Sequence, residues 1–186
     1  MFLMSFWLPI LLSAVFVFLA SAVINMAFTF WHAPDMKGFA NEDEVAAAMR
    51  RNGPAPGLYM IPFCDPATFK DPAVQAKFAQ GPVAKIYLSP NGMKSLGAHL
   101  GAWFLLCLAI SIVCAGLAGA VLPPSAGTHA IWHTVGLAAL LGYSFGEPTN
   151  AIWRGQPWIV SLKYAIDGLL YAIVTAATFA WLWPAA

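Results

Sequence analysis

The chain has 186 residues, 60% of them hydrophobic and 9% charged, with a formal net charge of +1 at pH 7. Soluble domains average about 25% charged residues, so the composition excludes an ordinary soluble globule. The apolar content excludes a disordered chain, and the small net charge gives no support to nucleic-acid binding. Together with a mean hydropathy of +0.71, these values predict an integral membrane protein embedded in a lipid bilayer.

A helix needs about 20 mostly apolar residues to cross a bilayer. Four segments meet this requirement, and the expected transmembrane helices cover residues 1–31, 96–122, 129–147 and 159–183. The first segment contains the sequence Ala20-Ser21-Ala22, which resembles a signal-peptide cleavage site. Because its apolar run is longer than the 7–15 residues or so of a signal peptide and no basic region precedes it, we expect a membrane helix.

Residues 32–95 separate the first two apolar segments and contain most of the charged residues. Asn41 and Glu44 have capping-box spacing, which predicts a helix from about residue 42 to 51. Asp71-Pro72 predicts a second helix, ended by Gly81. Residues 58–63 and 83–88 are rich in strand-forming side chains that we expect to pair. The predicted fold class is therefore an all-α membrane protein of four transmembrane helices with a small α/β aqueous insert.

The distribution of Lys and Arg predicts the orientation in the membrane. All basic residues lie in the insert or near the junction of the last two apolar segments, and none lies in the 123–128 turn. Cytoplasmic loops carry an excess of Lys and Arg, so we expect residues 32–95 to be cytoplasmic and both termini to be outside.

Small residues recur at four-residue spacing in the apolar segments and predict close helix packing, because small side chains let helix backbones approach each other in lipid. The expected contact residues are Gly168, Ala172, Ala176, Ala180, Ala138, Gly142 and Gly146. Packing within the chain is the simpler interpretation, and contact with another subunit or a second copy is the alternative.

Polar residues at the predicted cytoplasmic helix ends are the main candidates for a functional site. They are His32, Asp35, His99, Glu147, Asn150, Arg154, Lys163 and Asp167. Asp167 is the deepest of these residues, and an ionised carboxylate is costly inside a membrane. Lys163, one helical turn earlier, is its expected partner. The alternative is that Arg154 and Lys163 merely extend to the membrane surface.

His129 and His133 lie four residues apart at the start of the third apolar segment, on one helix face. They are the candidate ligands for a metal or a haem, although two histidines make only half of a usual zinc site. We therefore expect no cofactor. Cys64, Cys107 and Cys114 have no neighbours suited to a disulfide, and the sequence contains no hydrolase, metalloprotease or phosphate-binding motif.

Three stretches, residues 5–10, 81–84 and 166–171 continuing to 181–184, resemble a group of small uncharacterised bacterial membrane proteins with four helices. The resemblance implies a location in the bacterial inner membrane. It implies no activity, because no functional residues of that group carry over.

The sequence supports three functional hypotheses. The leading one is a non-enzymatic membrane protein, an accessory or scaffold subunit of a larger membrane assembly, because catalytic motifs are absent from the sequence and the insert is too small to hold its own core. The second is a small membrane enzyme or lipid- or ion-handling protein with a polar site at the cytoplasmic helix ends. The third is a redox subunit that holds a haem or metal through His129 and His133.

Overall fold

A computed structural model describes residues 5–184 of the chain. Within these residues the fold is mostly helical and divides into two compact units, a helical bundle that includes residues 5–36 and 95–184 and an insert formed by residues 37–94. In chain order the elements are α1 (Trp7–Ala22), α2 (Thr29–His32), α3 (Glu42–Arg51), β1 (Gly57–Ile61), α4 (Pro72–Gln80), β2 (Ala84–Leu88), α5 (Leu96–Val121), α6 (Thr128–Tyr143), α7 (Glu147–Arg154) and α8 (Trp158–Trp181).

Three helical segments in the described part of the chain are long and apolar enough to cross a membrane. They are Trp7–Ala27, Leu96–Val121 and Trp158–Trp181. The first segment consists of α1 and a following π-helical turn, Val23–Ala27. The prediction of a membrane protein built from apolar helices is confirmed to this extent.

The expected helix over residues 129–147 differs from the structure. Helix α6 is 16 residues long and ends at Tyr143, whereas Glu147 begins the separate helix α7. At 1.5 Å per residue, α6 spans about 24 Å, which is less than the ~30 Å of a hydrocarbon core. Pro148 has no N–H to donate to the Ser144 carbonyl, which favours a break in the helix here, and Pro148 lies in the first turn of α7.

The bundle helices pack in adjacent pairs. Helix α1 contacts α5 and α8, and α6 also contacts α5 and α8. At one end of the bundle, the Phe6 ring lies 5.1 Å from the Trp183 ring between centroids, and Trp183 Nε1 donates to the Pro124 carbonyl at 3.1 Å. The start of α1, the turn between α5 and α6, and the end of α8 therefore meet at this end.

The small residues of α8 face α6 within the same chain. A Cβ added at Gly168 would lie 2.4 Å from Ser144 Oγ and 2.6 Å from the Tyr143 carbonyl oxygen, and Ala176 lies 3.5 Å from the position of a Cβ added at Gly136. Ala172 is also buried. These contacts match the simpler interpretation of the stripe, which is packing within the chain.

The remaining small residues of the predicted stripes differ among themselves. Ala138 and Ala180 pack against the core of the bundle while remaining partly exposed. A Cβ added at Gly142 would lie 3.2 Å from Ile110 of α5, so this glycine faces α5 closely. Gly146 lies beyond the end of α6, and an added Cβ there would meet nothing within 4 Å. Gly146 therefore makes no close contact of the predicted kind with the described helices of this chain.

The insert contains the predicted helices and hairpin. Strands β1 and β2 pair antiparallel, with Leu58 opposite Tyr87 and Tyr59 opposite Ile86. Helix α4 has the expected N-cap, because Asp71 Oδ1 accepts a hydrogen bond from the Ala73 N–H. Helix α3 lacks the expected cap, since the Asn41 side chain instead donates to the Glu44 carboxylate.

A pair of matched glycine substitutions tests the close approach of α6 and α8. Gly168→Ala introduces a Cβ against backbone atoms, which cannot move as a side chain would, and overpacking of this kind costs about 1–3 kcal/mol. Gly116→Ala places the same methyl group where nothing lies within 4 Å. In detergent, with unfolding followed by dye labelling of the buried Cys107 and Cys114 thiols, Gly168→Ala lowers the unfolding temperature and Gly116→Ala does not. Equal unfolding temperatures for both variants would contradict this packing.

Candidate functional site

Four of the predicted candidates come together where the segment after α1 meets the start of α8. They are His32, Asp35, Lys163 and Asp167, called here the polar cluster. The side chains are largely withdrawn from solvent, with relative exposures of 13% for His32, 9% for Asp35, 15% for Lys163 and 4% for Asp167. The first two residues come from α2 and the turn after it, and the other two from α8.

An interruption of the first apolar helix positions the α2 side of the cluster. After the π-helical turn Val23–Ala27, Phe28 leaves helical geometry with φ −94° and ψ 55°. The chain then resumes as α2, a single turn, and continues as a 3₁₀ turn over Ala33–Asp35. A π-helical turn inserts an extra residue and changes the direction of the side chains that follow. Trp31 and His32 leave this interruption directed at α8.

Asp167 is held by two side chains from α2. Trp31 Nε1 donates to Oδ1 at 2.9 Å, and His32 Nε2 lies 2.6 Å from Oδ2. Both oxygens of this buried carboxylate therefore have partners, which offsets the cost of withdrawing its charge from water. No sequence motif marked Trp31 as a partner, because its contact with α8 depends on the interruption at Phe28.

The His32 ring is bound on both sides by carboxylates. Its Nδ1 atom lies 3.0 Å from Asp35 Oδ2, and its Nε2 atom lies 2.6 Å from Asp167 Oδ2. A neutral imidazole has only one N–H, whereas the imidazolium form has two. An imidazolium between two carboxylates provides a proton for each contact. The ring also stacks on Tyr164, with centroids 4.5 Å apart and an interplanar angle of 18°.

Lys163 does not pair with Asp167, so that prediction is wrong. Its Nζ atom donates to Asp35 Oδ1 at 2.5 Å and to the Trp31 carbonyl at 2.7 Å. The physical reason is the direction of helical side chains, which lean toward the N-terminus of their helix. Lys163 therefore reaches away from Asp167, toward the turn that contains Asp35.

The two carboxylates of the cluster, from Asp35 and Asp167, lie against the Lys163 ammonium group and the His32 ring. The hydrogen bond from Lys163, followed by that from His32, lowers the pKa of Asp35 below its ordinary value of 3.8. All four charged groups thus bind one another or Trp31. This arrangement fastens α2 to α8 and can also hold a proton between two carboxylates.

The other four predicted candidates lie outside the polar cluster. On α7, Asn150 Nδ2 donates to Glu147 Oε2 at 3.1 Å, and Arg154 donates to Asn150 Oδ1 at 3.0 Å. These three residues form their own row along one short helix. His99 is exposed on the first turns of α5, where its Nδ1 lies 2.8 Å from the Ser95 carbonyl oxygen. Of the eight residues that we expect to converge, the structure therefore brings four together in the polar cluster.

His129 and His133 contact each other, with their Nε2 atoms 3.0 Å apart. Because both project from one face of α6, they cannot bind the two opposite sides of a haem iron. Across residues 5–184, no group of three or more His, Cys, Asp or Glu is arranged to hold a metal ion. All three cysteines are free thiols.

Two side-chain hydrogen bonds outside the polar cluster join α1 to α5. Ser13 Oγ donates to Ser111 Oγ at 2.9 Å, and Trp103 Nε1 donates to Ser21 Oγ at 2.8 Å. Hydrogen bonds between membrane helices contribute about 0.6 kcal/mol each on average. They pair helices without forming a site.

Comparison with protein-family models, curated proteins and solved structures finds no match.

Asp35 makes the stability of the bundle depend on pH. Because its pKa is lowered in the fold, its contribution is fully present above the ordinary value of 3.8 and is lost as pH falls through the lowered value. Asp35→Asn removes this contribution. In detergent, the difference in unfolding temperature between wild type and Asp35→Asn is expected to shrink as pH falls from about 6 toward 3. Asp43→Asn, at an exposed position in α3, is the matched control. A wild-type advantage over Asp35→Asn that stays constant with pH would contradict the pairing.

Proposed function

We propose that the chain is a non-enzymatic membrane scaffold, an accessory subunit whose helical bundle anchors the insert and whose insert binds another protein subunit of a membrane assembly. The observation that carries the proposal is the surface of the insert. None of residues 37–94 is buried within the chain. A folded unit without a buried residue obtains little stability from its own core, so a covering surface on another molecule would stabilise it.

Large apolar side chains are exposed along the insert. Leu58 and Tyr87, opposite each other in the hairpin, are 63% and 60% exposed, and Phe63, just after β1, is 83% exposed. An isolated two-stranded hairpin is marginally stable in water. These side chains favour a partner protein that covers the hairpin, because aromatic residues are enriched at protein interfaces.

The bundle supports a structural role for the polar cluster. Its four side chains bind one another, Trp31 or both, so each already has a partner within the chain. The small-residue stripe of α8 is covered by α6, so it gives no support to an interface with another subunit. Both observations favour the insert as the place where a partner binds.

Site-specific photo-crosslinking tests the partner proposal. A photoreactive amino acid at Phe63 is expected to form a covalent adduct with another protein in intact membranes. The same group at Val113, a 66% exposed residue of α5, is expected to label lipid. Adducts between two copies of this chain at Phe63 would identify the partner as a second copy of the chain. Lipid adducts alone at Phe63 would contradict a protein partner.

We further propose four membrane crossings, with α6 as the short third crossing, in a bacterial inner membrane. Support comes from the direction of the chain: α6 begins near Trp183 and ends where Ser144 Oγ donates to the Ala165 carbonyl. Helix α6 therefore runs antiparallel to α8, from near the end of α8 to near its first turns. Four crossings would leave both termini on one side of the membrane and the insert on the other, and the distribution of Lys and Arg favours a cytoplasmic insert with both termini outside.

Thiol labelling from one side of the membrane tests this topology. Cys64 of the native chain is expected to react from the cytoplasmic side. In a Cys64→Ser background, Ser125→Cys in the turn before α6 is expected to react from the outside, and Ile152→Cys in α7 from the cytoplasmic side. Both positions are exposed. Labelling of positions 125 and 152 from the same side would contradict a crossing by α6.

A second candidate is a small membrane enzyme or lipid- or ion-handling protein, in which the polar cluster handles protons. The continuous chain from Asp35 through His32 to Asp167, with contacts of 3.0 and 2.6 Å, favours it. Proton flux into liposomes loaded with a pH-sensitive dye distinguishes the candidates. The scaffold account predicts the same flux with and without protein. A protein-dependent flux that Asp167→Asn abolishes, while expression is unchanged and Glu147→Gln outside the cluster retains the flux, would favour the second candidate.

A further inference from the structure

The first turns of α6 present two imidazoles in contact at the protein surface. His129 and His133 are both exposed, their ring centroids lie 4.3 Å apart, and their Nε2 atoms lie 3.0 Å apart. The four-residue spacing brings both rings to one face of the helix. Neither residue belongs to the polar cluster, and the proposed scaffold role does not use them.

The distance between the Nε2 atoms fits two ligands on a single metal ion. With metal–nitrogen bonds of about 2.0–2.1 Å, a separation of 3.0 Å corresponds to an angle of about 90–97° at the metal. This is the angle between neighbouring ligands in square-planar or octahedral geometry. Two ligands of a tetrahedral zinc ion would lie about 3.3–3.4 Å apart. In this structure the two Nε2 atoms share a hydrogen bond at that distance, which bonds to a metal would replace. The preference for Cu²⁺ therefore rests on the affinity of imidazole for this ion.

The surroundings favour a metal that prefers nitrogen ligands. Residues 96–146 contain no Asp or Glu, so this segment supplies no side-chain carboxylate to attract Ca²⁺ or Mg²⁺. They also contain no Lys or Arg, so no basic side chain in that segment repels a cation. The partial positive charge at the start of α6 opposes cation binding, so affinity must come from the two nitrogen bonds. Among divalent metals, imidazole ligands bind Cu²⁺ most tightly.

We propose that His129 and His133 form a surface site for one exchangeable divalent transition metal ion, with Cu²⁺ preferred. Each neutral ring keeps its proton on Nδ1 and binds the metal through Nε2, and water completes the coordination. Because the protein supplies two ligands, the remaining positions stay open and the ion exchanges readily. The site is independent of the scaffold proposal.

Electron paramagnetic resonance with added CuCl₂ tests the site, using full-length protein in detergent and an affinity tag without histidine. Wild type is expected to bind one Cu²⁺ with two coordinated nitrogens in the equatorial plane. His129→Gln and His133→Gln are each expected to weaken binding at least tenfold, because either change removes one of the two bonds. His99→Gln, at an exposed histidine on α5, is the matched control and is expected to bind as wild type does.

The double variant His129→Gln/His133→Gln decides the outcome. It is expected to lose the two-nitrogen spectrum while unfolding at the wild-type temperature, since both side chains are exposed. If wild type shows no two-nitrogen Cu²⁺ spectrum, or if the double variant binds Cu²⁺ as tightly as wild type, the proposed site is wrong.

Discussion

A charged side chain buried in a membrane protein needs its counter-charge within the protein, because lipid cannot solvate it. Asp167 meets this requirement through His32 and Trp31, which approach from a different part of the chain. The interruption of the first apolar helix at Phe28 and the orientation of α2 make that approach feasible. The bundle geometry at this end therefore depends on the pairing of the Asp167 carboxylate.

Close packing holds α6 and α8 together next to the polar cluster. Gly168, one residue after Asp167, lets the end of α6 approach so closely that a Cβ would collide with the Tyr143 carbonyl. Ser144 Oγ donates to the Ala165 carbonyl in the same region. Burial from water cannot drive helix pairing inside lipid, so close approach and hydrogen bonds take its place. One segment of α8 thus contacts both α2 and α6.

The sequence predicted the features that depend on local pattern. The apolar helices, the two short helices of the insert and its hairpin follow from hydrophobic runs, caps and strand-forming residues.

The identity of the partners in the polar cluster was predicted only in part. His32, Asp35, Lys163 and Asp167 were candidates, but the Lys163–Asp167 pair was wrong. Which residue pairs with which depends on the π-helical turn before Phe28, and neither hydrophobic periodicity nor capping patterns predict such a turn. The short α6 was missed because the apolar run continues past Tyr143 while the helix does not.

The proposed scaffold role treats the polar cluster as a structural contact and assigns partner binding to the exposed insert. The bundle contains the buried residues of the described chain, whereas the insert contains none. Native mass spectrometry after gentle extraction tests this division most directly. The account predicts that the 19.9 kDa chain is found in a larger complex with another protein subunit. A lone chain that carries only lipid, at every extraction condition that leaves the bundle folded, would contradict it.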